Sequence, residues 1–257
     1  MSKVQTHTIA GQTASGKLGF LFPTSQQPVY ASRFTSALEN LAESGVAATP
    51  FLSVPVASEG QVALGRNLPT PVAIQTPAPQ SADMTLLFVA RLPNAPASGN
   101  GNIGVMGATF YNSTSLNGWN GLMFGLGAGN ALLYVCNDVN GSLSTQYEGA
   151  AITDAQAQVW GLYIARISSS GGSGITATIQ ALTAETEKAQ NWSGTLYSKS
   201  GETPTVMLGA HYISLFGTTQ SVQIKRAFIW NTALTDAEAD AMAALIRADL
   251  ASETITV

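Results

Sequence analysis

The chain has 257 residues, of which 45% are hydrophobic and only 10% charged, against about 25% charged in an average globular domain, so wholesale disorder is excluded. A net charge of −4, with 11 Lys plus Arg scattered along the chain, excludes a basic face for duplex nucleic acid. The single cysteine, Cys136, excludes an internal disulfide framework, and His7 and His211 are too few for a histidine-rich metal site.

No apolar h-region follows the N-terminal Met-Ser-Lys-Val-Gln-Thr-His-Thr, so no secretory signal is expected. Eight of the 11 prolines lie within residues 1–80. Proline lacks a backbone donor, so this stretch reads as an irregular Pro-rich arm. One short helix is expected inside it, because Phe34, Leu38 and Leu41 recur at helical spacing and Gly45 stands where a C-terminal glycine would.

From residue 81 to 230 the chain reads as β. Met84–Arg91 and Asn102–Phe110 are the first strands. Gly121–Gly127 and Ala131–Cys136 are divided by Ala-Gly-Asn and predict a hairpin. Asp138-Val-Asn-Gly141 predicts another turn. Val159–Arg166 and Ile175–Leu182 alternate, and Thr205–Gly209 and Ser221–Trp230 close the series. Between Leu92 and Asn137 there is no charged residue, which suits strands buried on both faces or a surface that meets other subunits. The longest mostly apolar run, Gly121–Cys136, has 16 residues, short of the roughly 20 that span a membrane. Thr235-Asp-Ala-Glu238 is a capping box, and Met242, Leu245, Ile246 and Leu250 form one apolar stripe behind it. The β-prone tail Thr254–Val257 suits pairing with a neighbour.

The closing string resembles the laminin G-like jelly rolls of the concanavalin A-like lectin/glucanase class. The matching residues are Phe228, Trp230, Asn231, Ala233, Leu234, Thr235 and Glu238. Ala82–Arg91, Val159–Ala165 and Thr205–Ala210 match further strands of that family in order, so the resemblance covers roughly residues 70–250. It implies an all-β, antiparallel jelly-roll β-sandwich, here over residues 71–257. The arm, 1–70, would pack on the sandwich or on a neighbouring subunit, and a short helix ends the chain. Two departures, Gln180–Glu187 in place of a short Asn-Gly turn and Ser221–Lys225 without the usual Asp, count against a family-type calcium site.

Several strings carry site-like signals. Gly11–Lys17 nearly spells a phosphate loop, but Leu18 stands where Ser or Thr would ligate Mg²⁺. Gly99-Asn-Gly-Asn-Ile-Gly104 spells a dinucleotide fingerprint without the flanking strand and helix it needs. Glu185 and Glu187 form the one nearby carboxylate pair for a glycosidase. Asn137, Asp138 and Asn140, helped by Asp154, offer oxygen ligands, though a turn explains them as well. Cys136 reads as buried and inert, and His211 as a loop or core residue. Carbohydrate recognition is the favoured ligand chemistry, since sugars stack on aromatic rings and pair with amides. Its candidates are Trp119 with Asn117 and Asn120, Trp192 in a polar loop, Tyr111 and Tyr212. Trp160 and Trp230 read as core.

The low charge and the abundance of Ala, Gly, Ser and Thr resemble bacteriophage virion proteins, where laminin G-like folds serve as decoration, spike and tail-fibre parts. The expectation is a non-enzymatic virion structural protein, assembled in the host cytoplasm. Its partners would be other virion subunits, further copies of itself and, as a further candidate, a surface glycan, without nucleic acid, membrane insertion, metal or cofactor. A carbohydrate-binding adhesin is the alternative, followed by a glycoside hydrolase or lyase of the same fold.

Overall fold

The computed structural model describes residues 22–42, 45–64, 72–95, 103–107, 110–111, 119–127, 129–139, 142–169, 174–196, 205–209 and 221–257. In chain order come β1 (Tyr30–Ser32), β2 (Thr49–Leu52), β3 (Ala57–Ser58), β4 (Gln61–Leu64), β5 (Val72–Pro79), β6 (Met84–Arg91), β7 (Ile103–Gly107), β8 (Phe110–Tyr111), β9 (Trp119–Asn120), β10 (Leu122–Gly127), β11 (Asn130–Val139) and β12 (Ser142–Ala151). After a short helix α1 (Asp154–Gln158) follow β13 (Gly161–Ser169), β14 (Gly174–Ala181), β15 (Thr186–Ser193), β16 (Thr195–Leu196), β17 (Thr205–Leu208), β18 (Val222–Trp230) and helix α2 (Asp236–Ala251).

Among the described residues these strands build the two antiparallel sheets of a jelly-roll sandwich, with β8 and β9 forming a separate two-stranded sheet. The first runs β15-β14-β13-β6-β18-β4-β3, with β1 added to β18. The second runs β12-β11-β10-β7-β17-β5-β2, with β16 added to β11. The hairpin expected at Ala-Gly-Asn forms, pairing Leu122 with Val135 through to Gly127 with Asn130.

Alternation explains the layers. On β6, Met84, Leu86, Phe88 and Ala90 enter the core between the sheets, while Leu87 and Val89 enter a second core under α2. A strand covered on both faces reads as a continuous apolar run, which is how Met84–Arg91 reads. Phe88, Phe124 and Tyr163 meet at the centre, with Phe88 edge-on to Phe124 at 4.4 Å between centroids. The second core joins Leu162, Ile164, Phe228 and Trp230 to Ala239, Met242, Ala243, Ile246 and Leu250 of α2. The expected capping box is present at its start, with Thr235 and Glu238 bonding each other's backbone amides.

The structure departs from the sequence reading in four places. No helix forms around Phe34–Leu41. Phe34 and Leu38 pack into the inter-sheet core while Leu41 packs into the second core, so the three share no face. Polar side chains take over the backbone there. Glu39 accepts from the Arg33 amide at 2.9 Å, and Asn40 accepts from the amides of Ala31 and Ala42 at 3.2 and 3.0 Å. Second, Pro-rich β5 is a sheet member. Its prolines 77 and 79 lie beyond the residues that β2 pairs, and on the other side the register with β17 shifts between Thr205 and Met207. Third, Thr186–Ser193, read as a turn and a loop, forms the edge strand β15. Its mostly exposed polar side chains suit a sheet edge. Fourth, the tail folds back on its own helix. Arg247 Nε donates to the Val257 carbonyl at 2.9 Å, and Val257 packs into the second core.

Candidate functional site

The site begins with a break in β18. Val222 and Ile224 face the inter-sheet core, and so do Ala227 and Ile229, so parity changes between them. The register with β6 shifts between Ile224 and Arg226, a β-bulge. A bulge gives a strand one extra residue and re-aims its side chains. Here it sends two consecutive cations, Lys225 and Arg226, to the end of α2. Arg226 is 1% exposed. Its Nε donates to Asp249 Oδ2 at 2.8 Å, and its Nη2 pairs with Glu253. Asp249 also receives Arg33 Nη2 at 2.6 Å. Lys225 Nζ pairs with Glu253 Oε2 at 2.7 Å and donates to the Glu59 carbonyl at 3.0 Å. Burial opposes the charge on Glu253, but the hydrogen bonds from Lys225 and Arg226 outweigh it and hold its carboxyl below the ordinary range.

Beside this lattice lies a cavity of about 330 Å³, lined by Glu59, Gln61, Arg91, Trp160, Lys225, Glu253 and Ile255. Sheet register brings its aromatic and cationic walls together. Gly161 pairs with Ala90, so Trp160, just before β13, falls beside Arg91 at the end of β6, and Gln223 pairs with Arg91 from the other side. The Arg91 guanidinium lies over the Trp160 ring, Cζ 4.5 Å from the centroid, and its Nε donates to Gln223 Oε1 at 2.6 Å. Lys225 Nζ is 5.8 Å from the same centroid. The β3–β4 turn, with Glu59 and Gly60 both at positive φ, supplies the rim. The site thus combines a half-buried indole, one cation held over it and several hydrogen-bonding groups, which suits a small polar ligand with an apolar face.

Trp160, read as core, is only partly so: it is half-buried, packing against the margin of the second core, whereas Trp230 is fully buried. A missed helix is the reason. Thr153 and Gln156 form a capping box for α1, the helix ends at Gln158, and Val159–Trp160 are left outside β13 with Val159 exposed. The Thr-x-x-Gln spacing is the sequence signal that could have moved the strand start. The parity change in Val222–Trp230 could likewise have revealed the bulge.

The residues nominated from sequence are not assembled at this cavity. Tyr111 and Trp119 are register partners in the β8–β9 pair, and Asn120 pairs with Phe110, so Trp119 and Asn120 sit on a strand. Asn117, Tyr212 and His211 lie outside the described residues, as does the Gly11–Lys17 string. Trp192 is on β15 instead of in a loop, opposite Ile175 and half-buried against the inter-sheet core. Glu187 accepts from Gln180 Nε2 at 2.9 Å on the same edge, while Glu185 occupies the preceding turn at positive φ. Asn137 and Asp138 are neighbours on β11, so their side chains leave opposite faces of the sheet. Asn137 Nδ2 donates to the Ser193 carbonyl at 2.6 Å. Cys136 is buried, and burial followed by the nearby Asp138 charge pushes its thiol up to about 11, which keeps it unreactive at neutral pH.

No family model matches the chain, and no curated protein is similar to it in sequence. Solved structures are similar in fold. The fold resembles the botulinum neurotoxin binding domains. The serotype C1 binding domain superposes with a TM-score of 0.53 at 10% identity, over 84% of this chain and 51% of that one. The serotype G binding domain gives 0.51 at 12% identity, over 83% and 49%. The binding domain of neurotoxin DC, in complex with rat synaptotagmin II, gives 0.53 at 11% identity, over 83% and 50%. The chain spans about half of each of these neighbours.

Proposed function

We propose that this chain is a non-enzymatic attachment protein, a jelly roll that recognises glycan and is carried on a bacteriophage virion. The observation that carries the reading is the half-buried Trp160 at the wall of a cavity lined with hydrogen-bonding groups. Sugars offer hydroxyls to amides, carboxylates and cations, and C–H groups to the part of the indole that Arg91 and the second core leave open. The shared fold with toxin binding domains supports a binding role. A glycosidase needs a carboxyl held protonated beside an ionised one. In this cavity Lys225 and Arg226 hold Glu253 ionised, which speaks against that chemistry. The virion setting is supported by the low charge and the small-residue composition.

The test is a glycan-array screen of the full chain beside Trp160→Ala, with Trp119→Ala and Trp192→Ala as comparisons. Saturable binding lost in Trp160→Ala is the expected result. Loss only in Trp119→Ala or Trp192→Ala would move the site to those strands. Absence of binding to any glycan would overturn the reading. Separately, the chain should co-purify with particles through a density gradient, and its absence from them would remove the virion setting alone.

A further inference from the structure

We infer that the Trp160 cavity takes a sugar carrying a carboxylate, with Arg91 as the partner of that carboxylate. The inference rests on the glycan reading above and names the class of sugar. Arg91 donates its Nε to Gln223 Oε1, and its Cζ stands 4.5 Å from the centroid of the Trp160 ring. Its two terminal amino groups make no hydrogen bond to any described residue. A guanidinium fixed at Nε and held over an indole keeps those nitrogens as a planar fork, the geometry that a carboxylate matches with two parallel hydrogen bonds. The other cation of the cavity is already engaged, since Lys225 Nζ holds Glu253 and the Glu59 carbonyl. One unspent cation therefore sets the place for one negative charge.

The remaining groups select what carries that charge. Glu59 stands exposed at the rim, its carboxylate an acceptor for hydroxyl donors and a repulsive neighbour for polyanions. Gln61 lines the cavity, and its amide oxygen is buried without a donor. Such an acceptor is costly to leave unmade, so the Gln61 amide is a further polar group for a ligand hydroxyl to meet. A volume of about 330 Å³ is at the small end of ligand sites and suits a single sugar ring. One carboxylate on a ring rich in hydroxyls meets all of these conditions. Hexuronic and nonulosonic acids both supply that chemistry.

The experiment is an NMR titration of the full chain with matched methyl glycosides: glucuronic acid against glucose, and N-acetylneuraminic acid against its carboxamide. Wild type is compared with Arg91→Gln and Arg91→Lys, and thermal melts establish that each variant is folded. The acidic member of at least one pair should bind about tenfold tighter or more, as expected for charge-assisted hydrogen bonds. Which pair does so identifies the source. The preference should vanish in Arg91→Gln, shrink in Arg91→Lys and weaken with salt. If Arg91→Gln fails to fold, the wild-type preference and its salt dependence still decide. Equal binding of acidic and neutral twins overturns the inference and leaves the glycan reading standing. No binding by any sugar, on the array or in the titration, overturns both.

Discussion

Arg91 at the end of β6 and Trp160 just before β13 form a cation–π pair, guanidinium over indole at 4.5 Å, at a place where both side chains remain partly open to solvent. The pair is worth about 0.5–2 kcal/mol as a cation–π contact. Trp160 also packs half-buried against the second core, so Trp160→Ala should cost about 2 kcal/mol, the contact plus part of an aromatic's burial. Trp230 makes the informative contrast. It is fully buried under α2, edge-on to Phe22 and bonded through Nε1 to the Gln26 carbonyl at 3.1 Å. Trp230→Ala should cost about 3–5 kcal/mol, the range for emptying a buried aromatic site. Urea unfolding of the two variants checks this, and equal losses would mean that Trp160 is a core residue after all.

Arg226 is the keystone between β18 and the end of α2. Removing one partner of a buried ion pair leaves uncompensated charge and costs about 3–5 kcal/mol. Arg226→Met should fall in that range. Arg226→Lys keeps the charge but lacks the fork that reaches Asp249 and Glu253 together, so it should lie between wild type and Met. A Lys variant as stable as wild type would show that charge alone, without the fork, closes the lattice.

Acid should loosen the N-terminal end of the same helix. The Glu238 carboxyl is lowered from 4.5 to about 2, first by the hydrogen bond from the Ser25 amide, 2.7 Å from Oε1, with burial opposing and the Thr235 bonds adding to it. The folded value lies below the unfolded one, so the contribution is complete above about pH 4.5 and is lost as pH falls toward 2. Glu253 is shifted in the same direction and adds to this acid slope. Glu238→Gln should thus reduce stability at pH 6.5 and flatten, without abolishing, its decline between pH 4.5 and 3. Denaturation midpoints at those pH values test it. An unchanged slope in the variant would contradict the tether.

The architecture was legible wherever one residue pattern answered to one layer. Continuous apolar β6, the Ala-Gly-Asn hairpin and the Thr235–Glu238 box all carry local signals, and the β-sandwich with its C-terminal helix follows from them. The site was not legible, because it is made by register. Arg91 and Trp160 are 69 positions apart in the chain, and only the ladder between β6 and β13 places them together. Exposed-looking Trp192 drew attention through its polar neighbours, yet those neighbours are the polar face of an edge strand. Phe34, Leu38 and Leu41 mimic a helix in spacing while serving two cores, a division that no periodicity reveals.

That division bears on truncation. An arm that merely docked on a neighbour could be removed with the sandwich intact. Instead β1 pairs with β18 from Tyr30 opposite Ile229 to Ser32 opposite Ala227. Phe22 fills the second core, and Tyr30 and Phe34 fill the first, all but completely buried. Burying each such ring contributes about 1.5–3 kcal/mol, and whole-domain stability is only about 5–15 kcal/mol. Deleting residues 1–45 removes all three rings together with the Ser25 tether to Glu238 and the Arg33 contact to Asp249. The truncated chain should be insoluble or unfolded, with near-ultraviolet circular dichroism from the aromatic core lost and amide protection in β18 abolished. A soluble truncation with protected β18 amides would show that the first sheet closes without β1 and that residues 22–45 are an appendage.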